Sequence, residues 1–269
     1  MTTVTDRTID TGAGRLFARV WGELPRAPGG PATIVLFHDS IGSVELWRDF
    51  PDRLAAATRC AVVAYDRLGF GWSDPHPGRL ELDFMREEAR SSLPALIGAL
   101  GLGALVPFGH SAGGAMAVAT AARFPDRCPA VITEAAQAFV EDRTVASIRA
   151  AQASFAEPGQ LERLVRYHGD KARWVLDTWC DTWLSPGFAA WRLDDDLRQL
   201  RCPVLAMHGD RDEYGSTVHP ERISGVPACA SRAVIFKDCG HVPHREQPEA
   251  VLTQVAAFLR DIPAASGGS

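Results

Sequence analysis

The sequence predicts an α/β domain: a doubly wound, mostly parallel sheet with one helical segment inserted into it. Short β-rich apolar runs alternate with amphipathic stretches from residue 33 to about residue 135, as crossover helices between parallel strands require. The runs are apolar throughout, not at every second residue, which suits strands covered on both faces. From 136 to 200 only helical spacing is found, and strand signals resume at 203. The expected division is a core of residues 1–135 and 201–269, with residues 136–200 as a helical cap.

Composition narrows the partners. A chain of 269 residues, 46% hydrophobic, can bury one large core. Its net charge of −5 offers no basic field for nucleic acid or an anionic membrane. Met1 to Asp10 is polar, so no signal peptide is expected, and no apolar run approaches a membrane span. The six cysteines (60, 128, 180, 202, 229 and 239) form no C-x-x-C pair and read as reduced, which points to the cytoplasm. The pattern leaves oligomeric state open.

Taken in order, residues 7–21 predict a hairpin turning at Thr11–Gly14, followed by a Pro/Gly-rich loop from Pro25 to Pro31. Thr33–Phe37 is a buried strand ending at His38-Asp39-Ser40-Ile41-Gly42. A helix is expected over Glu45–Ala56, with Leu46, Phe50 and Leu54 on one side. Ala61–Tyr65 is the next strand, running into a Gly-rich loop at 66–74, and Glu81–Leu100 reads as one amphipathic helix. Gly101-Leu102-Gly103 precedes a strand and lacks a third glycine, so it is no dinucleotide fingerprint, and no cofactor is expected. Strands follow at Leu105–Phe108 and Ala130–Thr133, the latter ending at Glu134. Within the insert, Val175, Trp179 and Trp183 share a helical face by their spacing of four. Pro203–Met207 and Ala233–Phe236 complete the sheet, Pro248–Leu259 closes it with a helix, and Pro263–Ser269 is left unassigned.

The chemistry sits at strand ends. Between Leu105–Phe108 and an Ala-rich helix the chain reads Gly109-His110-Ser111-Ala112-Gly113, a Gly-x-Ser-x-Gly strand-to-helix turn. Such a turn strains the serine into the open and sets a helix N-terminus, with free N–H groups, where an oxyanion would form. Asp212 and His241 follow two later strands. Their order of Ser, Asp and His joins Asp-Arg-x-Gly-x-Gly-x-Ser at 66–73, Gly-x-x-Asp at 209–212, Gly-His at 240–241 and Glu-x-Pro at 246–248. Together these motifs resemble the α/β-hydrolase family over nearly the whole chain.

The resemblance implies a cofactor-independent serine hydrolase. A neutral serine hydroxyl needs a general base; His241 fits, because histidine ordinarily titrates near neutrality. Asp212 would hold its tautomer. Asp210, Glu213 and Glu134 are rival acids, His244 reads as a surface-loop histidine, and His110 is expected to point away from the serine. The N–H groups of Ala112 and Ser40 are the expected oxyanion donors. The family's usual His-Gly is His38-Asp39 here, so Asp39 must turn away or be neutralised. His208-x-Asp210-x-Asp212 could chelate a metal, but no metal is expected. His38, Phe139, Trp179 and Trp183 are candidate substrate contacts.

The implied substrate is a small to medium ester, thioester or lactone. The same triad would also serve carbon–carbon hydrolysis of ring-cleavage dienoates, in which the cap arginines 143, 149, 163, 166, 173 and 192 could hold a carboxylate. Cofactor-free perhydrolysis, or a non-catalytic ligand receptor on the same fold, would fit the motifs as well.

Overall fold

Strands β1 (Val4–Asp10), β2 (Arg15–Trp21), β3 (Thr33–Phe37), β4 (Val62–Tyr65), β5 (Leu105–His110), β6 (Val131–Glu134), β7 (Val204–Gly209) and β8 (Arg232–Phe236) form one sheet in the order β1-β2-β4-β3-β5-β6-β7-β8. The computed structural model describes residues 2–25, 30–226 and 231–262; part of the Pro/Gly loop, Cys229 and the C-terminal tail lie outside them. The β1–β2 hairpin and its junction to β4 are antiparallel, and every later pairing is parallel.

The central strands show why their sequences are apolar at every position. Val35 and Phe37 of β3 face one core cluster, and Ile34 and Leu36 face the other. β4 repeats this, with Val63 and Tyr65 against Val62 and Ala64. Helices α1 (Phe50–Thr58) and α11 (Pro248–Arg260) cover one face; α2 (Phe84–Arg90), α3 (Ser92–Leu100) and α4 (Ala112–Arg123) cover the other. Burying a Leu, Ile or Phe is worth about 1.5–3 kcal/mol, so this double layer holds the strand ends in place.

Two helix expectations are corrected. The segment expected as Glu45–Ala56 is a 3-10 turn at Val44–Trp47, then Arg48 at φ +54°, then α1. Pro51 lies at the start of α1, where its missing N–H costs nothing; inside a longer helix it would break the ladder. The Asp66 carboxylate anchors the turn by accepting the Val44 N–H at 2.6 Å. The expected Glu81–Leu100 helix is broken at Ser91 into α2 and α3. Pro94 is the cause, since its ring clashes with the carbonyl four residues back, that of Arg90.

Between β6 and β7 lie α5 (Asp142–Phe155), α6 (Glu162–His168), α7 (Ala172–Trp183) and α8 (Asp194–Gln199). The only pairing in this stretch among the described residues is a Phe139–Arg192 bridge. Two short helices, α9 (Val218–Ser224) and α10 (Pro243–Glu246), follow β7 and β8. No helix among the described residues is long and apolar enough to cross a membrane.

Candidate active site

Ser111 stands between β5 and α4 at φ +55°, ψ −123°, a conformation that costs an L-residue about 1–3 kcal/mol. The surroundings hold it there. Its N–H donates to the Glu134 carbonyl at 2.8 Å, carrying the sheet ladder one residue past β5. A Cβ on Gly109 would collide with the backbone of Gly113, and one on Gly113 with the carbonyl of Phe37. The two glycines let strand, turn and helix cross at contact distance.

His241 reaches the serine from the loop after β8. Its Nε2 lies 3.0 Å from Ser111 Oγ and its Nδ1 2.8 and 2.9 Å from the two Asp212 oxygens. With Nδ1–H donating to Asp212, Nε2 is free to accept the serine proton. Asp212 is buried and also accepts the N–H groups of Tyr214 (2.7 Å) and Gly215 (3.3 Å). Burial pushes its pKa up, but the hydrogen bond and charge of His241, with help from His208, hold it below the ordinary carboxylate value. His208 Nε2 sits 3.1 Å from Asp212 and from the Gly215 carbonyl. Asp210 instead accepts the Cys239 N–H at 3.3 Å, so the His208/Asp210/Asp212 triplet does not converge on one point. Glu246, of the Glu-x-Pro motif, accepts the N–H groups of Gly240 (2.7 Å) and Val242 (3.0 Å) on either side of His241.

Behind these groups lie two further imidazole–carboxylate pairs. His110 Nε2 is 2.7 Å from the His241 carbonyl, and its Nδ1 is 3.4 Å from Asp39. Both neighbours are acceptors, an arrangement that favours a proton on each nitrogen of the ring. Burial lowers its pKa, but the hydrogen bond and charge of Asp39, then Glu134, outweigh that and raise it. Against the same burial, His110 and His38 hold Asp39 well below the carboxylate range. Asp39 is thus neutralised by a partner and further fixed by the Ile41 N–H at 2.8 Å. His110 does not point away from the site, as expected from sequence; it braces His241. His244 is no surface histidine either: it is buried, its Nδ1 2.6 Å from Glu134 and its ring 4.6 Å from that of Trp47. Glu134 therefore pairs with His244 and does not serve as the acid of His241. His110, Glu134 and His244 are close enough to share a cation, but both His110 nitrogens already face acceptors.

A cavity of about 690 Å³ opens over Ser111 and His241. Asp39, Ser40 and Ile41 form part of its wall, and Trp179 and Trp183 of α7 another part. The Ala112 N–H lies in the first turn of α4, where an intrahelical acceptor is lacking. Two expected substrate contacts are elsewhere. His38 is sealed behind the loop, its Nδ1 2.8 Å from the Asp39 carbonyl and its Nε2 accepting the Arg67 N–H at 3.3 Å. Phe139 packs on His219 at 4.6 Å, with Arg192 and Arg222 over its ring. Neither lines the cavity. Short apolar-flanked residues next to a motif do not reveal which side of a loop they take.

The helices between β6 and β7 are tied to the site by groups that sequence reasoning missed. His168 of α6 accepts the Gly71 N–H at 3.0 Å and donates to the Ile41 carbonyl at 3.0 Å. Thr144 and Ser147 of α5 donate to the carbonyls of Tyr214 and Glu213, each at 2.6 Å. The Asp39 loop and the Asp212 loop are each fastened to a different one of these helices.

Comparison with known proteins agrees with this architecture. The mouse serine hydrolase BPHL is 26% identical over 209 residues, covering 73% of this chain and 68% of its own. A 2-hydroxy-6-oxo-2,4-heptadienoate hydrolase of Pseudomonas putida is 25% identical over 264 residues, covering 86% and 90%. The solved structure of a 2-hydroxy-6-oxo-6-phenylhexa-2,4-dienoate hydrolase from a Rhodococcus strain superposes with a TM-score of 0.76 at 18% identity, over 97% of this chain and all of that one. The model of the alpha/beta hydrolase family matches residues 34–254, and the chain belongs to that family.

Proposed function

We propose that the protein is a serine hydrolase that cleaves a small to medium carboxylic ester, thioester or lactone through an acyl-enzyme. The observation that carries this reading is the unbroken path from Ser111 Oγ through His241 to a buried, ionised Asp212, ending in a cavity. His241 Nε2 takes the hydroxyl proton as Ser111 Oγ attacks the carbonyl carbon, and Asp212 stabilises the imidazolium that forms. The Ala112 and Ser40 N–H groups receive the oxyanion, each worth about 2.7–4 kcal/mol of barrier. His241 then returns the proton to the leaving group, and water releases the acid by the same steps reversed. The helices of residues 136–200 act as the cap, with Trp179 and Trp183 against the apolar part of the substrate.

Fluorophosphonate labelling of wild type and Ser111→Ala, with turnover of p-nitrophenyl esters from acetate to decanoate, tests this. Labelling of wild type alone, with turnover of the shorter esters, is expected. Equal labelling of Ser111→Ala overturns the assignment. Labelling of wild type without ester turnover favours carbon–carbon hydrolysis, supported by the Pseudomonas relative, whose name gives a dienoate substrate; dienoates are then the substrates to assay.

A further inference from the structure

The cavity wall carries four arginines: Arg48 and Arg245 from the core, Arg163 and Arg166 from α6. Among the described residues none of the four makes an ion pair, whereas Arg86, Arg173 and Arg222 elsewhere each have an aspartate within 2.8 Å. The acids that share the wall do not match them. Asp39 is committed to His110, and Glu162 and Glu213 are exposed. Arg163 bonds the Gln160 amide oxygen, and Arg166 lies over the ring of Tyr167.

Arg245 is the most informative. It follows His241 by four residues and donates to the Leu46 carbonyl, which pins its guanidinium beside the segment carrying Arg48. Its Nε is buried without a partner. Burial lowers its pKa, the charge of Asp39 offsets part of that, and the nearby charge of Arg48 adds to the lowering. The indole N–H of Trp183, in the same wall, is likewise buried without an acceptor. The wall thus holds, among the described residues, arginines without an ion pair and two buried donors without an acceptor, Arg245 Nε and Trp183 Nε1. Desolvated donors of this kind are costly unless a ligand meets them.

We infer that Arg245 and Arg48, with Arg163 and Arg166 across the cavity, form an anion subsite that selects substrates carrying a carboxylate apart from the bond being cleaved. The inference rests on the hydrolase reading and names the substrate class for the same site. Arg245 brings a planar guanidinium, the group whose donors match a carboxylate, with one nitrogen held by the Leu46 carbonyl, and the exposed arginines draw the anion in, an effect that salt screens.

The test compares p-nitrophenyl hemisuccinate with p-nitrophenyl butyrate, and 4-acetoxybenzoate with phenyl acetate, so that the carboxylate sits in the acyl half or in the leaving half. Wild type is expected to favour the anionic member of at least one pair in kcat/KM. That ratio should fall at least tenfold in Arg245→Gln, severalfold in Arg163→Gln/Arg166→Gln, and also in wild type at 0.5 M salt. The double variant keeps the test alive if Arg245→Gln fails to fold. Ratios near one for both pairs in wild type, or ratios unchanged by both variants, overturn the subsite. Neutral-ester turnover and fluorophosphonate labelling of wild type in the same experiment leave the hydrolase reading standing; loss of both sinks that reading instead.

Discussion

The two sides of the cavity are built differently. On the sheet side the groups that hold Ser111 and His241 in place are committed: His241 to Asp212, His110 to Asp39 and to the His241 carbonyl, Glu246 to the amides flanking His241. On the side of the helices between β6 and β7, α6 presents exposed Arg163 and Arg166 and α7 presents aromatic rings, with few fixed partners. A strained serine and a hydrogen-bonded imidazole must stay within a few tenths of an ångström, so they are overdetermined. A surface that sorts substrates needs only shape and charge, and it can be loosely held.

The comparison fails first if the committed side proves tolerant. Asp212→Asn should lower kcat about 10⁴-fold with the fold intact, because the imidazole loses the partner that sets its tautomer; steady-state kinetics beside circular dichroism checks this. A loss of tenfold or less would mean another acid serves His241.

Next in size is the buried bridge. His110→Gln leaves the half-buried Asp39 without its partner and should cost about 1–3 kcal/mol near pH 6. The raised pKa of His110 means its contribution is complete below the ordinary histidine value and fades as pH rises through the folded value. The gap in stability between wild type and variant should therefore narrow towards pH 9, as denaturant melts at several pH values would show. A gap that widens with pH would mean the ring is neutral.

Smaller again, Glu246→Gln weakens the two charge-assisted bonds that set the His241 loop. We expect kcat to drop about tenfold with KM little changed, since each tenfold is about 1.4 kcal/mol. A change confined to KM would place Glu246 in binding rather than in holding the loop. The smallest effect is expected on the loosely held side. Trp179→Ala should move the preferred acyl chain towards longer esters, by about tenfold or less in relative kcat/KM, because an added methylene in a pocket is worth only about 1–3 kcal/mol. An unchanged chain-length profile would remove that ring from the substrate's path.

Much of the committed side was legible in the sequence. The buried strands betray themselves by continuous apolar runs, and the glycines around Ser111 mark a crossing of backbones that nothing larger survives. The long-range pairings were not legible. Asp39 with His110 depends on side-chain direction at the ends of neighbouring strands, and Glu134 with His244, across 110 residues, on where α10 packs; periodicity encodes neither. The same blindness placed His38 and Phe139 in the cavity when one lies beneath the loop and the other against His219. The helix breaks at Ser91 and Arg48 were within reach, because Pro94 and Pro51 are plain in the sequence.

The Asp39–His110 bridge also constrains how this chain can change over generations. Replacing Asp39 first removes the charge that favours protonation of His110 and leaves its Nδ1 without that neighbour; replacing His110 first leaves a carboxylate in the oxyanion loop without its partner. Either single step passes through a weakened intermediate, whereas the double exchange removes both charges at once. The pair is therefore a mutational lock: each residue is held in the lineage by the presence of the other.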